Sequence, residues 1–346
     1  MRAITRAAAY VPTGTGAGVR SARPDEDGFT MATTAAERLW GPAAVPPFPA
    51  RLLLVGDLPP TADADFARFL GAPLPTERCR TGRSGVEAAL RAATDSGRGT
   101  EGVLIAVVDL AQDRSGPAEA RPVVRSDAGV ALWVGETDRT DAPTALEPST
   151  DDGAGATPAL FRLGRSLRSS RPQDWLGDWD IPLETSTPAA TPLPARPELP
   201  SEGPLSQGAY VPRPRYVENL PSRWRLLAER CRSCGAVTFP IRGRCRQCGR
   251  TDALGVIRLP TDGGEVVATT TIGPGGQPTE FDEQVASSGP YGVVLVELLP
   301  GVRLTLQVAD GATLAIGSRV ATRLRRLYPM EGAWRYGRKA VPLGVG

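Results

Sequence analysis

The chain has 346 residues, with Lys+Arg 40 against Asp+Glu 38 and no histidine. That length accommodates two or three domains with buried cores, and the near-balance of charge argues against a general polyanion binder. The missing histidine removes Ser-His-Asp, Cys-His and histidine-ligated metal chemistry.

Taken in order, the sequence predicts a short strand at Ala3–Tyr10, a turn at Val11-Pro12-Thr13-Gly14, and a polar segment leading into a helix from Thr30 to Leu39. Thr30 is the expected N-cap. Asp25-Glu26-Asp27 reads as a solvated turn capping that helix rather than a paired carboxylate site. A buried strand follows at Leu52–Val55, then a helix over 61–71 and a second from Gly85 to Thr94. The continuous apolar run Val103–Val108, ending at Asp109, has the profile of a central parallel strand. Ala128–Val134 reads as another buried strand and Ala159–Leu167 as a further one. Strands alternating with helices indicate an α/β layer.

From Ile181 to Tyr210 Pro, Ser and Thr dominate, which marks an extended tether. From Pro214 an amphipathic helix is expected, with Trp224, Leu226 and Leu227 on its apolar face. It feeds CRSCGAVTFPIRGRCRQCG, where Cys231/Cys234 and Cys245/Cys248 form two Cys-x-x-Cys knuckles separated by ten residues. Gly235 and Gly249 follow the second cysteine of each knuckle, where the turn needs backbone freedom. Two facing knuckles close a tetrahedral four-thiolate site that suits structural Zn²⁺, with iron as the rival ion. Disulfides are disfavoured because Cys79 is the one other cysteine and no signal peptide is visible. With four thiolates no coordination position is left for water or substrate, so the metal is expected to fold the chain and not to catalyse.

Beyond the ribbon the strands are short and broken at Gly263-Gly264, Pro300-Gly301 and Gly317. About five of them without room for long helices suggest a small closed barrel of the OB type. No apolar run approaches the roughly eighteen residues that span a bilayer. The expected location is therefore cytoplasmic, away from membranes.

LPSRWRLLAERCRSCGAVTFPIRGRCRQCG, GGEVVATTTI, PYGVVLVEL, GVRLTLQV, IGSRV and WRYGRKAVP together resemble the zinc-ribbon/OB-fold family of acyl-CoA-associated proteins (domain of unknown function 35). The resemblance implies a non-catalytic partner that binds a thiolase-superfamily enzyme and helps to build its acyl-CoA channel. AAAYVPTG, RPDEDGFTMATTAAERL, GVEAALRAATDSG with EGVLIAVVDLA, and DAGVALWVG are similar to the opening half of hydroxymethylglutaryl-CoA synthase and ketoacyl synthase III relatives. In those enzymes the nucleophilic cysteine stands at the start of a helix. Alignment on Ala88-Ala89-Leu90 puts Arg83 in that slot, with Cys79 four residues too early. Neither can serve: Arg83 is no nucleophile, and Cys79 lacks a histidine to hold it as a thiolate. The expected fold is an α/β thiolase-like half domain plus a rubredoxin-like zinc ribbon and a small all-β OB barrel. The expected boundaries are a degenerate thiolase-like domain over 1–180, the linker over 181–213, helix and ribbon over 214–254, and barrel over 255–346.

Arg323, Arg325 and Tyr336, with Arg326, Tyr328, Trp334, Arg335, Arg338 and Lys339 nearby, could grip the phosphates and stack the adenine of coenzyme A. The competing reading is a solvated barrel rim. Arg230, Arg232, Arg242, Arg244, Arg246 and Arg250 surround the ribbon, either balancing a Zn–thiolate charge or meeting an acidic partner. The function expected is an accessory subunit of a thiolase-fold enzyme encoded nearby. The alternatives are a single-stranded nucleic-acid binder and an enzyme using Cys79.

Overall fold

A computed structural model describes residues 2–10, 14–16, 19–21, 25–39, 48–56, 58–71, 73–79, 82–95, 102–109, 128–136, 219–220, 222–273, 285, 289–330 and 333–343. The expected strand at Ala159–Leu167, the linker over 181–213 and the start of the helix after Pro214 lie outside these residues. The chain divides into two compact units. One comprises Met1–Gly41, Pro46–Ala67 and Ala72–Pro194, and the other Pro42–Val45, Arg68–Gly71 and Ala195–Gly346.

Two-sided burial governs the first unit. Strands β1 (Arg2–Tyr10), β4 (Arg51–Gly56), β5 (Thr76–Cys79), β6 (Val103–Asp109) and β7 (Ala128–Glu136) form one sheet in the order β1-β7-β6-β4-β5. A separate ribbon joins β2 (Gly14–Gly16) to β3 (Val19–Ser21). Helix α3 (Gly82–Asp95) packs on one face, where Leu53, Val55, Val103, Ile105, Val107, Leu132 and Val134 meet Val86, Leu90 and Ala93. Helix α1 (Gly28–Arg38) contacts β1, β6 and β7. It comes so close to β7 that a Cβ on Gly129 would lie 2.8 Å from the Met31 backbone. Because both faces are covered, every residue of 103–108 is buried, which explains its unbroken apolar run. β6 is central, as expected, but only half parallel: it runs parallel to β4 and antiparallel to β7.

Two local expectations are corrected. The N-cap of α1 is Asp27, whose side chain accepts from the Thr30 N–H at 3.0 Å while Thr30 Oγ1 accepts from the Asp27 N–H at 2.8 Å. Thr30 is thus the reciprocal partner of a capping box. Asp25, Glu26 and Asp27 are buried, not solvated, and Glu26 accepts a hydrogen bond from the Tyr10 hydroxyl. Helix α2 (Ala62–Leu70) falls within the expected 61–71 and directs Phe66 edge-on to Phe29, with centroids 5.1 Å apart.

In the second unit β8 (Leu227–Cys231), β9 (Val237–Thr238) and β10 (Leu254–Arg258) make the ribbon sheet in the order β10-β8-β9. Strands β11 (Asp262–Ile272), β12 (Tyr291–Leu299), β13 (Val302–Val308), β14 (Arg319–Met330) and β15 (Ala333–Pro342) close a barrel in the order β11-β12-β13-β15-β14. The expected break at Gly263-Gly264 is instead a register shift inside β11. A Cβ on Gly264 would come within 2.6 Å of the Val296 side chain, so only glycine fits this close approach to β12, and the strand continues through the shift. The expected helix ends earlier than its apolar pattern suggested. Leu226 takes φ 56, terminating the helical turn, and Leu227 already belongs to β8. This left-handed conformation costs roughly 1–2 kcal/mol. It is held because Leu226 is buried among Leu259, Val266 and Val296 and its carbonyl accepts from Leu259 N–H at 2.9 Å.

The Pro300-Gly301 hairpin forms as expected between β12 and β13. Glu297 caps it, accepting from Arg303 Nε at 2.6 Å and from the Gly301 N–H at 3.2 Å. The Arg303 guanidinium, then the Gly301 amide, hold the Glu297 carboxyl below the usual glutamate range. Its contribution to stability is present above the unfolded value of about 4.3 and is lost as pH falls through the lowered folded value. An NMR titration should show a depressed Glu297 midpoint that moves back up in Arg303→Ala; an ordinary midpoint in the parent protein would refute the pairing.

Candidate metal centre

The two knuckles are built by the same local hydrogen bonds. Cys231 N–H donates to Ala236 O at 2.9 Å and Gly235 N–H to Cys231 O at 2.8 Å. In the second, Cys245 N–H donates to Arg250 O at 2.8 Å and Gly249 N–H to Cys245 O at 3.0 Å. Each turn closes through a glycine in left-handed backbone, Gly235 at φ 76 and Gly249 at φ 73, a region in which a side chain is strained. The repeated turn gives each cysteine pair the same aim.

The four sulfurs converge. All lie within 4.8 Å of one another, with Cys231 Sγ 3.6 Å from Cys248 Sγ and Cys234 Sγ 3.5 Å from Cys245 Sγ. A tetrahedral Zn²⁺ with sulfur bonds near 2.3 Å needs sulfur separations of about 3.8 Å, so the donor set fits the ion. Backbone amides prepare the inner cysteine of each knuckle. The Cys234 N–H lowers the Cys231 thiol, and the Cys248 and Gln247 N–H groups bring Cys245 to about 6. At Cys234 the Ala236 N–H favours the thiolate, but burial and the neighbouring sulfurs outweigh it and push the thiol up to about 12. A bound cation would displace the protons these thiols carry, since the thiolate is the metal-binding form.

Glu229 holds this arrangement, and the sequence reading overlooked it. The side chain is buried, and Oε2 accepts from the backbone N–H groups of Arg242 at 2.9 Å and Gly243 at 3.0 Å. The carboxylate thereby fastens the approach to the second knuckle onto β8. The clue available was a lone acid beside a run of arginines, which carries little information without the fold. Glu229→Ala should cost about 1.5–3 kcal/mol by stripping a charged acceptor from two buried-side amides, read as a lower melting temperature and weaker metal retention. Glu229→Gln, which keeps an acceptor oxygen, should be milder; equal behaviour of the two would refute this role.

Arg230, Arg232, Arg242, Arg244, Arg246 and Arg250 are all exposed around the ribbon, as the sequence implied. Arg244 Nε donates to Gly249 O at 3.2 Å, and Arg250 forms a two-pronged pair with Asp252 at 2.6 and 3.0 Å. Arg230, Arg242 and Arg246 have no side-chain partner among the described residues.

The proposed phosphate and adenine residues lie elsewhere. Arg325 is 2% exposed and Tyr336 3%, so neither belongs to a solvated rim. Tyr336 meets Trp224 edge-on, with centroids 6.2 Å apart, and its carbonyl accepts from Trp224 Nε1 at 3.0 Å. Arg323 is half-buried and ion-paired with Asp262 at 2.6 Å. Arg338 donates from Nε to Trp224 O at 2.7 Å and from Nη1 to Thr322 O at 3.1 Å. Lys339 pairs with Asp310 at 2.6 Å, and Arg326 stacks over Trp334 at 4.5 Å. These cations are engaged by acidic side chains, an aromatic ring and main-chain carbonyls of the same unit.

Arg83 is the second residue of α3, so the helix start does fall where the resemblance put it. Its side chain lies outside the described residues. Cys79 ends β5, half-buried against the α3-side core. Burial first, then Glu77, pushes its thiol up against the opposing pull of Arg51. Its raised thiol favours the protonated form, and the chain has no histidine to act as its base. Among the described residues no helix is long and apolar enough to cross a membrane.

Comparison with known proteins agrees with the ribbon. The family model described as "ChsH2, rubredoxin-like zinc ribbon domain" matches residues 221–254. Among solved structures the chain is similar to an "Ltp2-ChsH2(DUF35) aldolase" at 24% identity and TM-score 0.27, covering 34% of this chain and 84% of that one. It is also similar to ketoacyl synthase III of Thermus thermophilus at 20% identity and TM-score 0.34, covering 40% of this chain and 52% of that enzyme. The HMG synthase of curacin biosynthesis gives 15% and 0.32, covering 39% and 41%. The chain thus spans about half the length of those two enzymes or less. A "DUF35 domain-containing scaffold protein" of Methanothermobacter thermautotrophicus is 30% identical over 132 residues, 37% of this chain and 94% of the relative. The protein of the same description from Methanocaldococcus jannaschii is 30% identical over 133 residues, 37% of this chain and 89% of the relative. With almost the whole of both relatives aligned, the chain belongs to the DUF35 domain-containing family.

Proposed function

We propose that this chain is a non-catalytic accessory subunit that binds a thiolase-fold enzyme, encoded nearby, and supports its acyl-CoA or acyl-transfer chemistry. The observation that carries this reading is the state of its cysteines. Four converge on one closed ion site, and the remaining one, Cys79, is a protonated thiol in a chain without histidine. A chain without histidine cannot supply the Cys–His pair on which cysteine-dependent acyl transfer relies. Both relatives described above are named scaffold proteins, in keeping with a role played through surfaces. The exposed Arg230, Arg242 and Arg246, without a side-chain partner among the described residues, suit an acidic partner face, because exposed charge steers association. Coenzyme A contact through Arg323, Arg325 and Tyr336 is a weaker part of the proposal, and the burial of Arg325 and Tyr336 weighs against it.

Co-expression with the neighbouring thiolase-fold enzyme should yield a stable complex that weakens with salt and in Arg242→Glu/Arg246→Glu. A partner fully active alone that ignores this chain would defeat the proposal, as would turnover of an acyl thioester by the purified chain. The exposed arginines also favour one rival, single-stranded nucleic acid. Binding with a steep salt slope in a shift assay would support that rival instead.

A further inference from the structure

We propose that the outer half of β11 is a strand-addition surface through which two copies of this chain pair edge to edge. The first part of β11 is flanked on both sides: Asp262, Gly264 and Glu265 pair with β14, and Glu265 and Val266 also pair with β12. At Val266–Ala268 the register shifts. From Ala268 to Ile272 the strand keeps β12 on one side and no strand on the other, among the described residues. Ala268, Thr269, Thr270 and Thr271 are all exposed, Ile272 is half-buried, and among the described residues no backbone hydrogen bond outside the β12 ladder reaches this stretch. Alternate N–H and C=O groups along this exposed edge have no strand partner among the described residues, which makes them a template for another strand.

Folded proteins protect such edges with charges, prolines or bulges. This edge has none within it: the sequence is Ala-Thr-Thr-Thr-Ile, the last charge is Glu265, and the bulge lies upstream. Its neutrality offers nothing to a charged strand and suits an equally neutral one. A second copy fits by its own order of residues. Antiparallel pairing about Thr270 sets Thr270 against Thr270, Thr269 against Thr271 and Ala268 against Ile272. Threonine pairs directly opposite one another are favourable. The resulting two-fold contact closes on itself, the commonest form of assembly. Because the paired stretch is short, the dimer dissociates on dilution.

Sedimentation velocity of the full chain across a concentration series tests this. A reversible monomer–dimer equilibrium is expected. Thr270→Lys, which brings two like charges face to face, should raise the dissociation constant about tenfold. The exposed site should leave the melting temperature and metal content unchanged. Thr270→Cys should cross-link into dimers under mild oxidation, because directly opposite residues stand at disulfide spacing. Thr305→Cys, exposed on β13, should not. A monomer at every concentration overturns the inference, as does a dimer indifferent to Thr270→Lys or equal cross-linking at both sites. A chain that stays monomeric but loses a thiolase-fold partner in Thr270→Lys also overturns it, assigning the edge to that partner.

Discussion

Replacing Cys245 with serine should empty the four-sulfur site and collapse the whole second unit. Cys245 is buried and is the cysteine whose thiolate its own knuckle amides favour most strongly. Structural zinc in a small ribbon contributes on the order of 10–16 kcal/mol of apparent binding free energy, and a missing thiolate forfeits much of it. The damage should spread because the ribbon is not a separable bead. Leu226, just ahead of its first strand, and Ala228 within that strand share one apolar cluster with Val266, Val294 and Val296 of the barrel, and Val237 and Phe239 pack against it. Elemental analysis should find stoichiometric zinc in the parent protein and almost none in the variant, alongside a large fall in melting temperature. Chelation should reproduce the fall. Full zinc occupancy in Cys245→Ser, or iron in the parent protein, would contradict this account.

The second large effect is expected at Trp224. Its ring is buried, its Nε1 donates to Tyr336 O at 3.0 Å, and its carbonyl receives two N–H groups from Arg338. One residue just ahead of the ribbon thus makes hydrophobic, aromatic and backbone contacts with β15. Trp224→Ala should cost about 3–5 kcal/mol, the range for emptying a large aromatic site. In a unit of this size that corresponds to a loss of roughly 10 °C in Tm. Trp224→Phe keeps a ring for Tyr336 but removes the indole donor, so about 1 kcal/mol should remain lost. Near-equal melting of Trp224→Ala and the parent protein would mean that this contact does not fasten the ribbon to the barrel.

The two predictions rest on features of different legibility. The cysteine spacing, each knuckle with its following glycine, was readable because every contact within a knuckle spans at most a few residues. The same locality made α1, α3 and the Pro300-Gly301 hairpin visible. Capping was half-visible: Asp27 and Thr30 both stand at the start of α1, and only backbone geometry distinguishes the cap from its reciprocal partner. Burial of polar residues was not visible. Asp25-Glu26-Asp27 has the composition of a surface turn, yet it is enclosed, with the Tyr10 hydroxyl donating to Glu26 across sixteen positions of sequence.

The burial of arginine was illegible for a related reason. Arg325 and Arg338 have the composition of a phosphate-binding surface, but both are buried, and Arg338 donates to main-chain carbonyls, including that of Trp224, 114 residues away. The same guanidinium N–H groups donate to a phosphate or to a backbone carbonyl, and sequence does not tell which partner they meet. What the sequence alone determined was the chemistry available and the strand content: a four-thiolate ion site, no histidine, and a strand-rich second half that closes a small barrel. Tertiary structure alone decided which charges face solvent, that Glu229 fastens the second knuckle, and that half of β11 is left with one neighbour. Those outcomes depend on which distant strands meet, a property of long-range packing that local residue patterns do not encode.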